Sequence, residues 1–312
     1  ILENSFIRGC KITIFARMKI ETEEISIPIV KQKKVRLFIK RIDKAHPFVS
    51  GNKWYKLKYN LIKAKEKGFK TLLTFGGAYS NHIAATAFAA QENGFQSIGI
   101  IRGEEHLPLN STLAFSVEKG MFLQYVSRND YRQKTTPEFI KNLKNKFGNF
   151  YLLPEGGTND LAIKGTAEIL DANDTQDYIC CAVGTGGTIA GIINASDNKQ
   201  KIIGFPAIKG SDTLQKEIES WTKKQNWKLI TDYHFEGYAK ISDELIEFIT
   251  SFNKERNIPL DAIYTGKMMF GILNLIEQDY FPKDISILAI HTGGLQGNKG
   301  INERFGLDLI TE

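Results

Sequence analysis

Two lysines three residues apart, Lys53 and Lys56, are the strongest candidates for chemistry in this sequence, within SGNKWYK at residues 50–56, where a helical pattern begins. A lysine at a helix start is unfavourable because the helix dipole is positive there, which favours a functional role for Lys53. Residues three apart share a helix face. We therefore expect mutual repulsion to leave one amine neutral and nucleophilic, as an imine-forming lysine must be, while Lys56 offers its charge to an anion.

A glycine-rich segment, VGTGGTIAG at residues 183–191, follows an apolar run and opens a helical pattern. Backbone N–H groups at a helix N-terminus form an anion pocket, and threonine hydroxyls can add donors. The segment lacks the GK[ST] of a P-loop and has Ile189 where a dinucleotide fingerprint needs a small residue. A tight strand-to-helix turn without a ligand is the alternative reading. The expected phosphate site comprises Gly184, Thr185, Gly186, Gly187 and Thr188.

A third segment, FGGAYSNH at residues 75–82, places hydroxyl, amide and imidazole groups at a strand-to-helix turn. Ser80, Asn81 and His82 suit a substrate carboxylate, because the first N–H groups of a helix are free to donate to an anion. The same geometry suits an N-cap by Ser80 or Asn81, and one turn can serve both purposes.

The elements that must position these segments alternate between strand and helix. Apolar runs predict strands at 35–39, 71–75, 97–101, 122–126, 150–153, 178–183, 201–205 and 285–291. Helical periodicity predicts helices at 53–67, 82–91, 110–119, 137–146, 161–170, 189–193, 213–222, 242–256 and 268–278. This alternation is typical of an α/β fold with parallel sheets and helices on their faces.

We expect two α/β domains with a ligand in the cleft between them, at the carboxyl ends of the strands. Residues 1–58 and 155–312 would form the large domain, and 59–154 a smaller inserted one. Residues 1–17 are interpreted as a non-native extension, because they lack an initiating Met while Met18 opens a segment that reads like a natural start.

The composition is that of a folded globular protein: 312 residues, 42% hydrophobic and 24% charged. The net charge of +6 arises within residues 1–41, so a nucleic-acid-binding face is not expected. No apolar run is long enough for a membrane helix, and we expect a cytoplasmic location without membrane contact. Cys10, Cys180 and Cys181 give neither a disulfide framework nor a metal-ligand pattern, and the adjacent pair is expected in a buried strand.

Together these motifs resemble the fold-type II (tryptophan synthase β-like) pyridoxal phosphate (PLP) enzymes. Within them, the chain is similar to the group of 1-aminocyclopropane-1-carboxylate (ACC) deaminases and D-cysteine desulfhydrases. The resemblance covers residues 18–301 and includes LPEGGTN at 153–159, YTGK at 264–267 and HTGG at 291–294 besides the three segments above. It implies a lyase with PLP between its two domains, a small amino-acid substrate and a homodimer.

The resemblance also implies roles for individual residues. Lys53 would carry PLP as a Schiff base, Lys56 and the 184–188 turn would bind its phosphate, and Asn81 would contact its phenolic oxygen. Ser80, Asn81 and His82 would hold the substrate carboxylate. The catalytic set would be Lys53, Ser80, Tyr238 and Tyr264, and Tyr264, Thr265 and Thr292 would line the cofactor.

Two of these positions bear on the substrate. ACC deaminases of this group have Glu and Leu where this chain has Thr265 and Thr292. A neutral Thr cannot keep the pyridine nitrogen protonated, and a weaker electron sink favours prompt loss of a good β-leaving group. We therefore expect α,β-elimination from a small D-amino acid such as D-cysteine. The alternatives are ACC deamination, β-replacement as in cysteine synthases, and a non-catalytic binder of a phosphate ligand.

Overall fold

The computed structural model describes residues 20–311, without the side chain of Ser211. The predicted non-native extension at residues 1–17 lies outside the described residues. None of the described helices is both long and apolar enough to cross a membrane.

A six-stranded sheet is built from the two ends of the described chain. Its strands are β1 (Thr22–Glu24), β2 (Arg36–Lys40), β7 (Tyr178–Val183), β8 (Lys201–Pro206), β9 (Trp227–Leu229) and β10 (Ser286–Ile290), in the order β1-β2-β10-β7-β8-β9. All neighbours are parallel except β1, which runs antiparallel to β2 at one edge. All six residues of β7 are buried, including both predicted cysteines, because helices cover both faces of a central parallel strand.

A four-stranded parallel sheet is built from the middle of the chain. Its strands are β3 (Thr71–Gly76), β4 (Gln96–Arg102), β5 (Met121–Val126) and β6 (Tyr151–Leu152), in the order β5-β4-β3-β6. The residues before and after this stretch form the larger sheet. Two sheets of mainly parallel strands confirm the predicted α/β class. The division at residues 59–154 stays a prediction.

Helices pack on both sheets. They are α1 (Pro28–Gln32), α2 (Asn52–Glu66), α3 (Asn81–Glu92), α4 (Ser111–Glu118), α5 (Arg128–Arg132), α6 (Pro137–Phe147), α7 (Asp160–Thr166), α8 (Gly187–Ala195), α9 (Ser211–Trp221), α10 (Asp243–Arg256), α11 (Thr265–Glu277) and α12 (Gly297–Phe305). Short 3-10 helices lie at Ile42–Ala45, Glu155–Gly157 and Ala167–Ile169. The predicted helix at 161–170 is therefore α7 followed by a separate 3-10 turn.

Helix α2 begins where two loops meet. Gly51 has φ +62°, and a Cβ there would stand 1.9 Å from the backbone oxygen of Thr292. The N–H of Asn52 donates to that same oxygen at 3.2 Å. From this start, Trp54, Leu57 and Leu61 are buried at helical spacing. The apolar face of α2 thus fixes the helix, and the Gly51 contact sets its first turn against the loop after β10.

Candidate active site

A cavity of 1290 Å³ lies at the carboxyl ends of strands from both sheets, where ligands of open α/β sheets bind. Its lining includes residues at or after the ends of six strands, namely Asp43, Gly77, Arg102, Gly184, Ile208 and Thr292. Twelve of the predicted site residues also line it: Lys53, Lys56, Ser80, Asn81, His82, Gly184, Thr185, Gly186, Thr188, Tyr238, Tyr264 and Thr292. Gly187 and Thr265 are not among the lining residues.

The amine of Lys53 lies in this cavity on the first turn of α2. Its hydrogen bond to Oδ1 of Asn52 is long, at 3.4 Å, so the nitrogen is held weakly. Burial lowers the pKa of Lys53 to about 8, and the negative charge of Asp261 opposes part of that shift. About a tenth of this amine is therefore neutral at pH 7, far more than in an ordinary lysine, and the neutral form is the nucleophile.

Lys56 is buried beside the glycine-rich turn. Its Nζ donates to the oxygen of Gly156 at 3.0 Å, to Oγ1 of Thr158 at 2.9 Å and to Oγ1 of Thr185 at 3.4 Å. Burial lowers the pKa of Lys56 well below its usual range, and the charge of Lys53 adds a smaller effect in the same direction. Desolvation, more than the repulsion expected from the sequence, therefore lowers the pKa values of Lys53 and Lys56. An anion at the turn would restore the Lys56 charge.

The glycine-rich turn connects β7 to α8 and is tied to the Lys53 helix. Nδ2 of Asn52 donates to Oγ1 of Thr188 at 2.8 Å, so the residue next to Lys53 contacts the turn directly. Gly186 has φ +77°, and a Cβ on Gly184 would stand 3.2 Å from the ring of Tyr264. The turn needs glycine both for its conformation and for its close packing.

The segment before α3 presents two kinds of polar group to the cavity. Oγ of Ser80 accepts from the N–H of Ile83 at 3.4 Å, which confirms that Ser80 is the N-cap. The N–H groups of Asn81 and His82 precede the first intrahelical bonds and are free for a ligand. Nδ2 of Asn81 makes only a 3.5 Å contact with the oxygen of Gly294, and its buried Oδ1 has no hydrogen-bond partner among the described residues.

The His82 imidazole is neutral and its tautomer follows from its neighbour. Oγ1 of Thr74 donates to the oxygen of Leu153 at 3.0 Å, so at 2.8 Å it must accept from Nε2 of His82. Burial lowers the pKa of His82 well below its usual range. Nδ1 is then an unprotonated acceptor, buried and without a partner among the described residues. An anion would therefore accept a hydrogen bond from the His82 backbone N–H and not from its ring.

Two phenols, Tyr238 and Tyr264, also line the cavity. The rings of Tyr238 and Tyr264 meet edge to face with centroids 6.2 Å apart. Burial of the hydroxyl raises the pKa of both phenols, most strongly for Tyr264, although Tyr238 as a whole is 44% exposed. Each phenol is therefore protonated at neutral pH and can donate a hydrogen bond to a group in the cavity.

A buried carboxylate, Asp261, organises the residues around Tyr264 and was not singled out from the sequence. It is fully buried, and its oxygens accept from the N–H groups of Ile263, Tyr264 and Thr265 at 2.7–2.9 Å and from Oγ1 of Thr265 at 2.6 Å. The Thr265 hydroxyl is thus directed at Asp261. Four hydrogen-bond donors therefore fix that carboxylate in place. The only available signal was an acid just before a helix start.

Two charged residues at the cavity mouth were also missed. Nη2 of Arg102 stands 3.4 Å from where a Cβ on Gly77 would lie, at the turn that leads to Ser80. Glu155 accepts from the hydroxyl of Tyr131 at 2.8 Å and pairs with Lys134 at 3.2 Å. Arg102 ends strand β4, which is the one sequence signal that could have found it.

The arrangement fits PLP. A phosphate would meet the 184–188 turn, the threonine hydroxyls there and Lys56, while the weakly held amine of Lys53 is available for a covalent bond to an aldehyde. The underused amide of Asn81 suits the phenolic oxygen of the same group. Tyr264 packs on the glycine-rich turn and would limit the space available to the pyridine ring of PLP.

Comparison with known proteins agrees with this fit. The family model described as pyridoxal-phosphate dependent enzyme matches residues 20–293. A Thermotoga maritima protein, provisionally named a 1-aminocyclopropane-1-carboxylate deaminase, is 31% identical over 283 residues, which cover 84% of this chain and 89% of that one. The mitochondrial bifunctional D-cysteine desulfhydrase/1-aminocyclopropane-1-carboxylate deaminase of Arabidopsis thaliana is 31% identical over 293 residues, covering 84% and 73%.

A crystal structure described as an ACC deaminase homologue shares the fold with a TM-score of 0.80 and 24% identity, over 92% of this chain and 93% of that one. The match to the family model spans most of the described chain, and two curated relatives align over five sixths of it. The chain therefore belongs to the pyridoxal-phosphate dependent enzymes and is a PLP-dependent lyase of the ACC deaminase and D-cysteine desulfhydrase group.

Proposed function

We propose that the protein catalyses α,β-elimination from a small D-amino acid, converting D-cysteine to pyruvate, ammonia and hydrogen sulfide. The observation that carries the proposal is the partly buried, weakly held amine of Lys53, which shares one cavity with the glycine-rich turn. When bound, PLP supplies the electron sink that makes the α-proton of an amino acid acidic.

Substrate binding would use the N-terminus of α3. The free N–H groups of Asn81 and His82 and the hydroxyl of Ser80 would hold the α-carboxylate, with support from the positive end of the helix dipole. The exposed guanidinium of Arg102, beside the same turn, adds positive charge where the carboxylate enters. With the carboxylate held there, removal of the α-proton and departure of the β-group would fall to other residues of the cavity.

Proton transfer would use Lys53 and the phenol pair. The Lys53 amine, freed by the substrate amine, takes the α-proton as the Cα–H bond breaks. The Cβ–S bond then breaks as a Cα–Cβ double bond forms, and the thiolate departs. Tyr264 and Tyr238 are both protonated and can donate a hydrogen bond to the departing sulfur. Released aminoacrylate reacts with water to give pyruvate and ammonia.

The preference for D-cysteine rests on Thr265 and Thr292. Position 265 carries a neutral side chain whose hydroxyl is bound to Asp261, which supports a weaker electron sink than a glutamate there would give. ACC deamination to 2-oxobutanoate and ammonia is the second candidate. The names of the curated relatives support it equally.

The test is carbonyl-product release by PLP-loaded protein from D-cysteine, L-cysteine, D-serine and ACC. Pyruvate from D-cysteine at the highest kcat/KM is the expected result. Turnover of ACC alone would replace the proposal with ACC deamination, and preference for L-cysteine would favour β-replacement. Colourless protein with no turnover would favour a non-catalytic phosphate binder.

Variants of α2 provide the matched control. Lys53→Ala should lose both turnover and the visible absorbance of lysine-bound PLP. Lys63→Ala, which changes an exposed lysine of the same helix, should leave both unchanged. Activity retained by Lys53→Ala would end the proposal.

A further inference from the structure

The loop that carries Tyr238 has an unusual backbone. Phe235, Glu236 and Ala239 have φ of +49°, +62° and +53°, and Gly237 has φ +124°. Residues other than glycine are unfavourable in this region because Cβ approaches the backbone. Such a conformation persists only where surrounding contacts hold it, so the loop needs an anchor.

Lys267 is the anchor that the structure offers. It is 2% exposed, and its Nζ donates to the oxygen of His234 at 2.9 Å and to that of Gly237 at 2.8 Å. The same two oxygens accept from the N–H groups of Gly237 and Lys240, which close the two turns of the loop. One ammonium therefore joins both turns, and its two acceptors flank Phe235 and Glu236.

The anchor and the second phenol lie at the start of the same helix, with Tyr264 as the residue just before it. Lys267 lies three residues after Tyr264 at the start of α11, so the two side chains emerge from adjacent positions on its surface. The Tyr238 ring packs edge to face on that of Tyr264, with centroids 6.2 Å apart. The loop geometry set by Lys267 thus decides whether the two phenols meet.

We infer that Lys267 is a positioning residue for catalysis, which holds Tyr238 against Tyr264 through the carbonyls of His234 and Gly237. The inference rests on the proposed function for the role of the phenol pair. A merely structural lysine would stabilise the whole protein without a specific effect on this loop. The two cases differ in how the Lys267 and Tyr238 substitutions combine.

The experiment is a double-mutant cycle on the PLP-loaded enzyme with Lys267→Met, Tyr238→Phe and both changes together. We expect each single variant to lose at least about tenfold in kcat, with a much smaller change in KM, because the loss affects a step after binding. The double variant should be no slower than the slower single variant. Effects that multiply would overturn the inference.

Limited chymotrypsin digestion supplies a readout independent of turnover, scored by mass spectrometry for cleavage after Phe235 and Tyr238. Lys267→Met should be cut there faster than wild type. Lys40→Met removes an equally buried lysine that pairs with Asp171 and Asp174, and should not change the cutting. Equal cleavage in wild type and Lys267→Met would contradict the inference.

Two further measurements separate the possible failures. The visible absorbance of bound PLP should be retained in Lys267→Met, which shows that Lys53 is still loaded. If wild type takes up no PLP, the proposed function fails while the digestion still decides whether Lys267 holds the loop. Lys267→Gln keeps two N–H donors and should restore part of kcat. If Lys267→Met does not fold, Lys267→Gln takes its place. The inference would also be refuted if Lys267→Gln lost all kcat but was cleaved at the wild-type rate.

Discussion

Replacing Lys53 by Met should stabilise the cofactor-free protein at neutral pH. The pKa of Lys53 is about 8 in the folded protein against an ordinary value of 10.5. Each pKa unit corresponds to roughly 1.4 kcal/mol, so holding this ammonium in the fold costs up to about 3 kcal/mol. Met keeps the unbranched shape without the charge and gives up only the long bond to Asn52.

The sign of the pH dependence follows from where the proton is bound. Between pH 8 and 10.5 the unfolded chain holds the Lys53 proton and the folded chain has released it, so wild-type stability rises with pH in this window. Below pH 8 the full cost is present. The advantage of Lys53→Met should therefore be largest at or below pH 7 and vanish near pH 10.5.

Urea denaturation of cofactor-free protein at several pH values measures this difference. The control Lys63→Met changes an exposed lysine paired with Glu66, and should shift the free energy of unfolding by less than about 0.5 kcal/mol at any pH. If Lys53→Met were no more stable than wild type at pH 7, burial would not be the cause of the lowered pKa, and the reasoning would fail.

Three further predictions concern the cofactor and the residues around it. The rate of PLP uptake by cofactor-free protein should rise with pH to a plateau with a midpoint near 8, followed by absorbance, because only neutral Lys53 reacts. Gly186→Ala should weaken PLP affinity about tenfold in equilibrium titration, since alanine at φ +77° costs roughly 1–2 kcal/mol. Thr265→Glu should lower the melting temperature because a second carboxylate would face Asp261, and Asp261→Asn in the same chain should recover part of the loss.

Local sequence signals were sufficient for most of the fold. Apolar runs bounded by turn residues predicted β3, β7 and β8 closely, and β7 at 178–183 without error. Local chemistry also narrowed the N-cap to Ser80 or Asn81, and the structure has Ser80. These elements could be predicted because each buries a face whose period is visible in its own residues.

The elements that were missed lack such a period. Helix α12 contains Gly297 and Gly300, poor helix formers, and a Cβ on Gly300 would stand 2.2 Å from the ring of Tyr79. Its glycines serve a contact with the turn before α3, which no local pattern reveals. Edge strand β1 has only three residues and pairs antiparallel with β2, so alternation could not identify it.

The candidate site was predictable in its members and less so in its electrostatics. Lys53, Lys56 and four of the five residues of the 184–188 turn line one cavity. The spacing of Lys53 and Lys56, three residues apart, also predicted the repulsion between their amines. The larger effect, desolvation of both amines, depends on what covers them in three dimensions, so the sequence could not supply it.

Asp261 joins these observations to the question of the substrate. Its carboxylate keeps the pKa of Lys53 from falling further, and its four donors come from the start of α11, including the hydroxyl of Thr265. Thr265 is therefore more than the absence of a glutamate, because its hydroxyl donates to the Asp261 carboxylate. A glutamate in its place would remove that donor and add a like charge nearby. The chain keeps its buried negative charge at Asp261, beneath the cavity, and a neutral side chain at 265, which is the combination that favours early loss of a β-substituent.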